Sequence, residues 1–84
     1  MFYYTYVLKS DKGDKLYTGY TNDLRKRLLE HNNGKSKYTK GKGPFVVIYY
    51  EACLSKEKAL QRELYLKSGM GKRYLKNRLD ASNL

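Results

Sequence analysis

Apolar and polar positions alternate near the start of the chain in the way that two half-buried strands require. Residues 2–9, FYYTYVLK, have this period of two, and residues 10–14, SDKGD, are typical of a hairpin turn. Residues 15–20 then predict a return strand that places Tyr17 and Gly19 on the same face. The pattern therefore predicts an antiparallel β-hairpin.

A helical period follows the hairpin. Thr21 or Asn22 is expected to cap a first helix that runs to about His31, where Asn-Asn-Gly ends it. Residues 35–43, KSKYTKGKG, have neither period, so we expect a basic, glycine-containing loop there.

The second half of the chain predicts one strand and two helices. Residues 45–53, FVVIYYEAC, are apolar almost without interruption, and we expect a strand buried on both faces. Ser55 is expected to cap a second helix over residues 56 to about 68, where Ser-Gly and a further glycine mark its end. Residues 72–79, KRYLKNRL, predict a short basic third helix.

The length of the chain sets its organisation. With 84 residues, there is room for one domain with a modest core. The order ββαβαα predicts a small α/β domain with an antiparallel hairpin and helices on the faces of its sheet. We expect residues 1–80 to form this domain and residues 81–84, ASNL, to be a frayed tail.

The charge of the chain indicates a partner. Eighteen lysine and arginine residues stand against eight acidic residues, so the formal net charge is +10. Such an excess in a short chain favours a polyanion. A solvated basic surface without a partner is the alternative. An anionic membrane is less favoured, because no segment combines a wholly apolar face with a basic one.

The basic loop is a candidate for contacts with nucleic acid. Phosphate contacts made by lysine give an affinity that falls steeply with salt and have little sequence information. We therefore predict salt-sensitive binding to DNA without base specificity, and a solvated lysine loop is the alternative. The predicted binding residues are Lys35, Lys37, Tyr38, Lys40 and Lys42 of the loop, together with Lys72 and Arg73.

Cysteine usage and hydropathy restrict the other classes. The single cysteine, Cys53, excludes an internal disulfide, and we expect it to be a small buried hydrophobe. The sequence has no Cys/His cluster that suggests zinc and no apolar stretch of membrane-spanning length. The N-terminal residues lack the features of a signal peptide, so we expect a cytoplasmic protein. The sequence indicates no obligate protein partner, and we expect none.

Polar residues interrupt the apolar stripe of the first helix. Leu24 and Leu28 define a face that should contact the sheet, and Arg27 and His31 fall within the same stripe at helical spacing. Glu30 is expected to face water. The stripe therefore has two polar residues where apolar residues would normally lie.

The second helix has the same feature. Ala59, Leu60, Leu64 and Leu66 share one arc, and Glu63 lies inside it. A carboxylate that faces a core is costly unless it is paired, hydrogen-bonded or bound to a metal. Glu63 is therefore a candidate ligand or ion-pair partner.

Two interpretations of these residues stay open. In the structural one, Glu63 and Arg27 form a buried ion pair and His31 is a satisfied core histidine. In the functional one, five side chains converge on the seam between sheet and helices and form a polar site. These side chains are Tyr6, Tyr17, Arg27, His31 and Glu63.

Several segments together resemble a known nuclease family. YTY at residues 4–6 and LYTG at residues 16–19 resemble the paired motifs of the GIY-YIG nuclease domain. LRKRLLEHN, GKSKYTKGKGP and ALQRELYLK extend the likeness over essentially the whole chain. The chain looks most like the small stand-alone bacterial members, the UvrC-like and UPF0213-type proteins. This resemblance implies a three-stranded antiparallel sheet flanked by helices.

The resemblance also implies an activity. It implies hydrolysis of phosphodiester bonds in DNA, in repair or processing, with one divalent metal, Mg²⁺ or Mn²⁺. On the matching positions, Tyr17 would be the general base and Glu63 the metal ligand. Arg27 would stabilise the scissile phosphate, and Tyr6 and His31 would position water or phosphate or assist proton transfer. The alternatives are a nucleic-acid-binding module with little or no cleavage and, from the basic surface, an interaction domain for an acidic protein.

Overall fold

The structure is a computed structural model that describes residues 1–13, 15–36 and 39–79. The predicted order ββαβαα is confirmed. The predicted tail at residues 81–84 and the predicted binding residues Lys37 and Tyr38 lie outside the described residues. The elements are β1 (Tyr3–Ser10), β2 (Leu16–Thr21), α1 (Leu24–Asn32), β3 (Phe45–Cys53), α2 (Lys56–Lys67) and α3 (Gly69–Arg78).

The three strands form one antiparallel sheet in the order β2-β1-β3. The central strand is β1, in which Val7 and Leu8 have no exposed surface. The prediction that β3 is buried on both faces is wrong, because β3 is an edge strand in which Val46 is 53% and Tyr50 56% exposed. An apolar run shows that a strand is hydrophobic, but it does not show which strand is central, because that depends on strand pairing. Here β1 pairs with β2 on one side and with β3 on the other.

Helices cover both faces of the sheet, and each face has its own apolar cluster. On one face, Leu24 and Leu28 of α1 pack against buried Tyr6, Leu8 and Phe45. On the other face, Val7 packs with Leu66 of α2 and Leu75 of α3. The sheet is therefore a middle layer between α1 and the α2–α3 pair.

The first helix is capped by Asp23 and not by Thr21 or Asn22. The Asp23 side chain accepts a hydrogen bond from the Lys26 N–H at 3.1 Å. The Thr21 hydroxyl is already used, because it accepts the Asp23 N–H at 3.0 Å. The prediction for α2 is confirmed, since Ser55 is its N-cap.

The third helix begins three residues earlier than predicted. Ser68 caps it by accepting the Gly71 N–H at 3.2 Å, so the glycines that follow the end of α2 also form the first turn of α3. Gly71 lies directly against the end of α2, where a Cβ would overlap the carbonyl oxygen of Tyr65. The glycines therefore allow α3 to start at once beside α2.

The face that α2 turns to the sheet differs in part from the predicted arc. Ala59 and Leu66 are buried, but Leu60 is 37% and Leu64 69% exposed. The small side chain of Ala59 lets the helix approach β1, where the Thr5 hydroxyl donates to the Ala59 carbonyl at 2.7 Å. This close approach, and not the leucine spacing, sets the rotation of α2.

A polar cluster fastens α2 to β3. Arg62 donates to both oxygens of Glu51, at 2.9 and 2.7 Å, and the Tyr49 hydroxyl donates to Glu51 at 2.8 Å. Burial raises the pKa of the Glu51 carboxyl, but its bonds with Arg62 outweigh burial, and the net pKa lies below the usual range. The cluster fixes the helix segment that also contains Glu63.

Two remaining expectations concern burial. Cys53, which we expected to be buried, is partly exposed, and its thiol donates to the Ser55 carbonyl at 3.2 Å. Across the described ranges, we find no helix with the length and apolar character needed to cross a membrane.

Candidate active site

A pocket of about 790 Å³ runs along the edge strand β2. Residues of β1, β2 and α1 line one side, and residues of α2 and α3 line the other. The structure brings all five predicted site residues into this pocket. They are Tyr6, Tyr17, Arg27, His31 and Glu63.

Gly19 makes room for one of these side chains. It lies opposite Tyr6 in the β1–β2 register, and a Cβ at Gly19 would overlap the Tyr6 hydroxyl group. The Tyr6 ring therefore extends across β2 toward the pocket. The structure therefore shows a steric requirement for glycine at position 19.

The Tyr6 hydroxyl is the first group in a buried series of hydrogen bonds. It lies 2.8 Å from Nε2 of His31, and Nδ1 of His31 lies 2.7 Å from the Thr39 hydroxyl oxygen. Tyr6, His31 and Thr39 are 3%, 7% and 2% exposed. Sequence reasoning missed Thr39 and the nearby pocket residue Ser36, because short hydroxyl residues in a lysine-rich loop show no periodic signal.

Burial shifts the pKa of both Tyr6 and His31. Burial raises the pKa of the Tyr6 phenol, and the neighbouring guanidinium of Arg27 opposes this only in part. Burial, reinforced by Arg27, lowers the pKa of His31. At neutral pH the pair therefore consists of a protonated phenol and an uncharged imidazole.

Arg27 lies between the phenol and a carboxylate of its own helix. Its Nη1 donates to Glu30 at 3.1 Å, so the expectation that Glu30 faces water holds only in part, with 31% of its side chain exposed. Burial lowers the pKa of Arg27, but Tyr6 and Glu30 outweigh burial and raise it. The alternative of a buried Arg27–Glu63 ion pair is also wrong, because each of these residues has a partner one turn away.

The Glu63 carboxylate faces the same pocket from α2. Its side chain is 19% exposed, and Lys67 donates to its Oε2 at 3.1 Å. Within the described residues, no group of three or more His, Cys, Asp or Glu side chains is arranged for a metal ion. Among the described residues that line the pocket, Glu63 is the acidic one, so it is the carboxylate that this pocket offers to an ion.

Two ammonium groups converge on Tyr17. Nζ of Lys15 lies 5.5 Å and Nζ of Lys42 lies 5.9 Å from the centre of its ring. Phe45 packs edge-on against the same ring at 5.3 Å. Lys42 was a predicted binding residue, whereas Lys15 was missed because it was assigned to the predicted return strand and not to the basic loop.

The other predicted binding residues are placed differently. Lys72 lines the pocket, and so does Lys67, which was not among the predicted binding residues. Lys35, Lys40 and Arg73 are exposed and do not line the pocket. Cations therefore lie on both sides of β2, which makes the pocket suited to an anion.

The chain is similar to one domain family over nearly its whole length. A sequence model of the family described as the GIY-YIG catalytic domain matches residues 2–78. A UPF0213 protein of Clostridium perfringens is 49% identical over 65 residues, which cover 76% of this chain and 69% of that protein. A UPF0213 protein of Staphylococcus saprophyticus is 41% identical over 75 residues, 88% of this chain and 90% of that protein.

A solved structure has the same fold. The solution NMR structure of a UPF0213 protein from Bacillus halodurans matches with a TM-score of 0.59 and 37% identity. The match covers 99% of this chain and 92% of that one. The three-stranded antiparallel sheet with its flanking helices is therefore an architecture shared with these proteins.

Proposed function

Because the chain belongs to the GIY-YIG family, we propose that it is a metal-dependent endonuclease that hydrolyses phosphodiester bonds in DNA. The observation that supports this proposal is the convergence of two phenols, a guanidinium, an imidazole and a carboxylate on one pocket. We propose that it acts in the cytoplasm, in DNA repair or processing, without an obligate protein partner.

The first task of the pocket is to hold a phosphate. Arg27 has a planar fork that matches two phosphate oxygens, and it is charged at every relevant pH. Lys15 and Lys72 line the same pocket, and the Lys42 ammonium lies 5.9 Å from the ring of the lining residue Tyr17. A nucleic-acid strand in the pocket would meet Arg27 at the scissile phosphate and lysines at neighbouring phosphates.

The second task is to activate water. Tyr17 is partly exposed and lines the pocket. Tyr6 is almost fully buried and already bonded to His31. We therefore assign the general base to Tyr17, and to Tyr6 and His31 the positioning of water or phosphate and assistance in proton transfer.

The donor set of the pocket fits a single divalent metal, Mg²⁺ or Mn²⁺. Glu63 would hold it, and Mg²⁺ at one carboxylate keeps several waters and takes further oxygens from a substrate phosphate. When bound, such an ion polarises the phosphoryl oxygen and stabilises the leaving oxygen. The Lys67 ammonium donates to Oε2 of Glu63, and within the part of the chain that the structure describes Oε1 accepts no hydrogen bond.

Cleavage of supercoiled, single-stranded and branched DNA with Mg²⁺ or Mn²⁺ tests the proposal. Tyr17→Phe and Glu63→Gln keep the shape of each side chain, and each should reduce the rate by about a hundredfold or more. Glu57→Gln, an exposed carboxylate in the first turn of α2, is the matched control and should leave the rate unchanged. Activity that survived both site substitutions would contradict the mechanism.

A nucleic-acid-binding module without cleavage is the second candidate. The observation that favours it is that both functional charges already have partners, Arg27 with Glu30 and Glu63 with Lys67. A wild-type protein that bound DNA but did not cleave it with either metal would support this candidate. A protein that bound neither DNA nor RNA would leave only the interaction domain for an acidic protein.

Both nucleic-acid candidates require electrostatic binding. Lys42→Gln or Lys72→Gln should each make the slope of log affinity against log salt shallower by about one. Lys58→Gln, exposed on α2 and outside the pocket, is the control and should leave the slope unchanged. An affinity that did not change between low and moderate salt would refute the phosphate contacts.

A further inference from the structure

We propose that Thr39 is a positioning residue that fixes the tautomer of His31, so that Nδ1 has the proton and Nε2 accepts the Tyr6 hydroxyl hydrogen. The consequence for catalysis rests on the proposed function. The tautomer itself is a property of the folded protein and can be measured without cleavage.

The direction of the hydrogen bonds from Tyr6 through His31 to Thr39 follows from the charge of Arg27. An uncharged imidazole has one donor and one acceptor nitrogen, so the partner of each nitrogen decides the tautomer. The Arg27 guanidinium lies beside the Tyr6 hydroxyl and can only donate. The phenol hydrogen is therefore repelled from Arg27 and points to His31 Nε2, 2.8 Å away. Nδ1 must then have the proton and donate to Thr39 at 2.7 Å.

Packing on every side keeps the imidazole in this orientation. Tyr6 and Phe45 of the sheet lie edge-on to the ring, with centroids 5.8 and 6.1 Å away. The charged groups nearby are Arg27 and Glu30 of its own helix, which already pair with each other. Thr39 is the hydrogen-bond acceptor that the described residues offer to Nδ1.

Thr39 also links the ring to the basic loop. Its N–H donates to the Ser36 carbonyl at 3.2 Å, and its carbonyl accepts the Lys42 N–H at 3.1 Å. The hydroxyl that orients His31 therefore belongs to a turn whose backbone also holds Lys42. A strand bound at Lys42 would act on the same turn, which connects substrate binding with the position of a proton in the pocket.

The first measurement uses the fact that His31 is the only histidine of the chain. In ¹⁵N NMR of the wild-type protein at neutral pH, a protonated and an unprotonated imidazole nitrogen have well separated shifts. We expect the protonated shift at Nδ1 and the unprotonated shift at Nε2. The opposite tautomer, or an averaged pair of shifts, would overturn the proposal, even if the protein cleaves DNA.

The second measurement uses two substitutions of similar size. Thr39→Val keeps the shape and removes the hydroxyl, so the two ¹⁵N shifts should move toward each other as the tautomers mix. Thr39→Ser keeps the hydroxyl and should retain the wild-type shifts. Unchanged shifts in a folded Thr39→Val protein would also overturn the proposal. If that variant does not fold, the wild-type and Thr39→Ser spectra decide.

Cleavage then separates the inference from the proposed function. Loss of the orienting partner of a metal-ligating histidine typically costs about ten- to a hundredfold in activity, and we expect a smaller but measurable loss for His31 in Thr39→Val and none in Thr39→Ser. Wild-type protein without cleavage but with the expected shifts would refute the nuclease and support the tautomer. Full activity in Thr39→Val would overturn the positioning role.

Discussion

Gly19→Ala should damage the fold and the candidate site together. The new methyl group would overlap the Tyr6 hydroxyl, and Tyr6 is only 3% exposed, packed with Leu8 and Phe45. The ring cannot yield without repacking this cluster, which typically costs about 1–3 kcal/mol. Losing the bond to His31 adds about 0.5–1.5 kcal/mol. We therefore expect a loss of about 1.5–4.5 kcal/mol, a large share of the total for a small domain.

Urea unfolding followed by circular dichroism measures this loss. Gly13→Ala is the matched control, because a Cβ at Gly13 meets no atom within 4 Å and its φ is not positive. Gly13→Ala should change the free energy of unfolding by less than about 0.5 kcal/mol. The His31 ¹⁵N shifts should change in Gly19→Ala alone. Equal stability of the two variants, with unchanged His31 shifts, would refute the steric role of Gly19.

Other predictions concern the helices and pH. Gly71→Ala should cost about 3 kcal/mol or more in urea unfolding, because the methyl group meets backbone atoms of α2, whereas Gly69→Ala, with open space around its Cβ, should cost little. Burial lowers the pKa of His31, so the unfolded chain binds the proton more readily. The contribution of His31 to the free energy of unfolding should therefore be fully present above about pH 6.5 and be lost as the pH decreases through the folded pKa. His31→Gln should flatten this dependence. A wild-type curve that is flat between about pH 7.5 and 5 would contradict the shift. Glu51→Gln should lower the free energy of unfolding by about 1 kcal/mol or more, because it breaks the bidentate pair with Arg62. Lys67→Met breaks a pair whose lysine is more exposed and should lower it by less than about 0.5 kcal/mol. The reverse order would contradict the geometry.

Local periodicity was sufficient for most of the fold. The hairpin, the helix capped by Ser55 and the strand at residues 45–53 were predicted because each depends on neighbouring residues in the chain. The same is true of the polar stripe of α1. A helical wheel shows that Arg27 and His31 share a face with Leu24, and the structure places both in the pocket.

The failures come from contacts between distant segments. Nothing in β3 indicates that β1 takes the central position, because pairing depends on all three strands together. The glycines at 69 and 71 are typical of a helix end, and only the close packing of α3 on α2 shows that they begin a helix. Thr39 is eight residues from His31 in the chain, and its role appears only once the loop folds over α1.

The position of the pocket follows from the place of β2 at the edge of the sheet. Tyr6 belongs to the face that α1 covers, whereas Glu63 comes from α2 on the opposite face. Within a sheet the strands would separate these groups, and only at an edge can they approach the same space. Gly19 completes this arrangement, because without a Cβ it lets the Tyr6 ring cross the strand.

The two halves of the pocket therefore depend on different supports. The Tyr6–His31 half rests on the α1 cluster and on Thr39. The Glu63 half rests on α2, which Arg62 fastens to β3. A substitution in one support should disturb its own half first, because the sheet separates the two clusters. Gly19 lies on β2, the strand beside which the two halves meet, and its replacement should act first on the Tyr6–His31 half, because a Cβ there would overlap the Tyr6 hydroxyl.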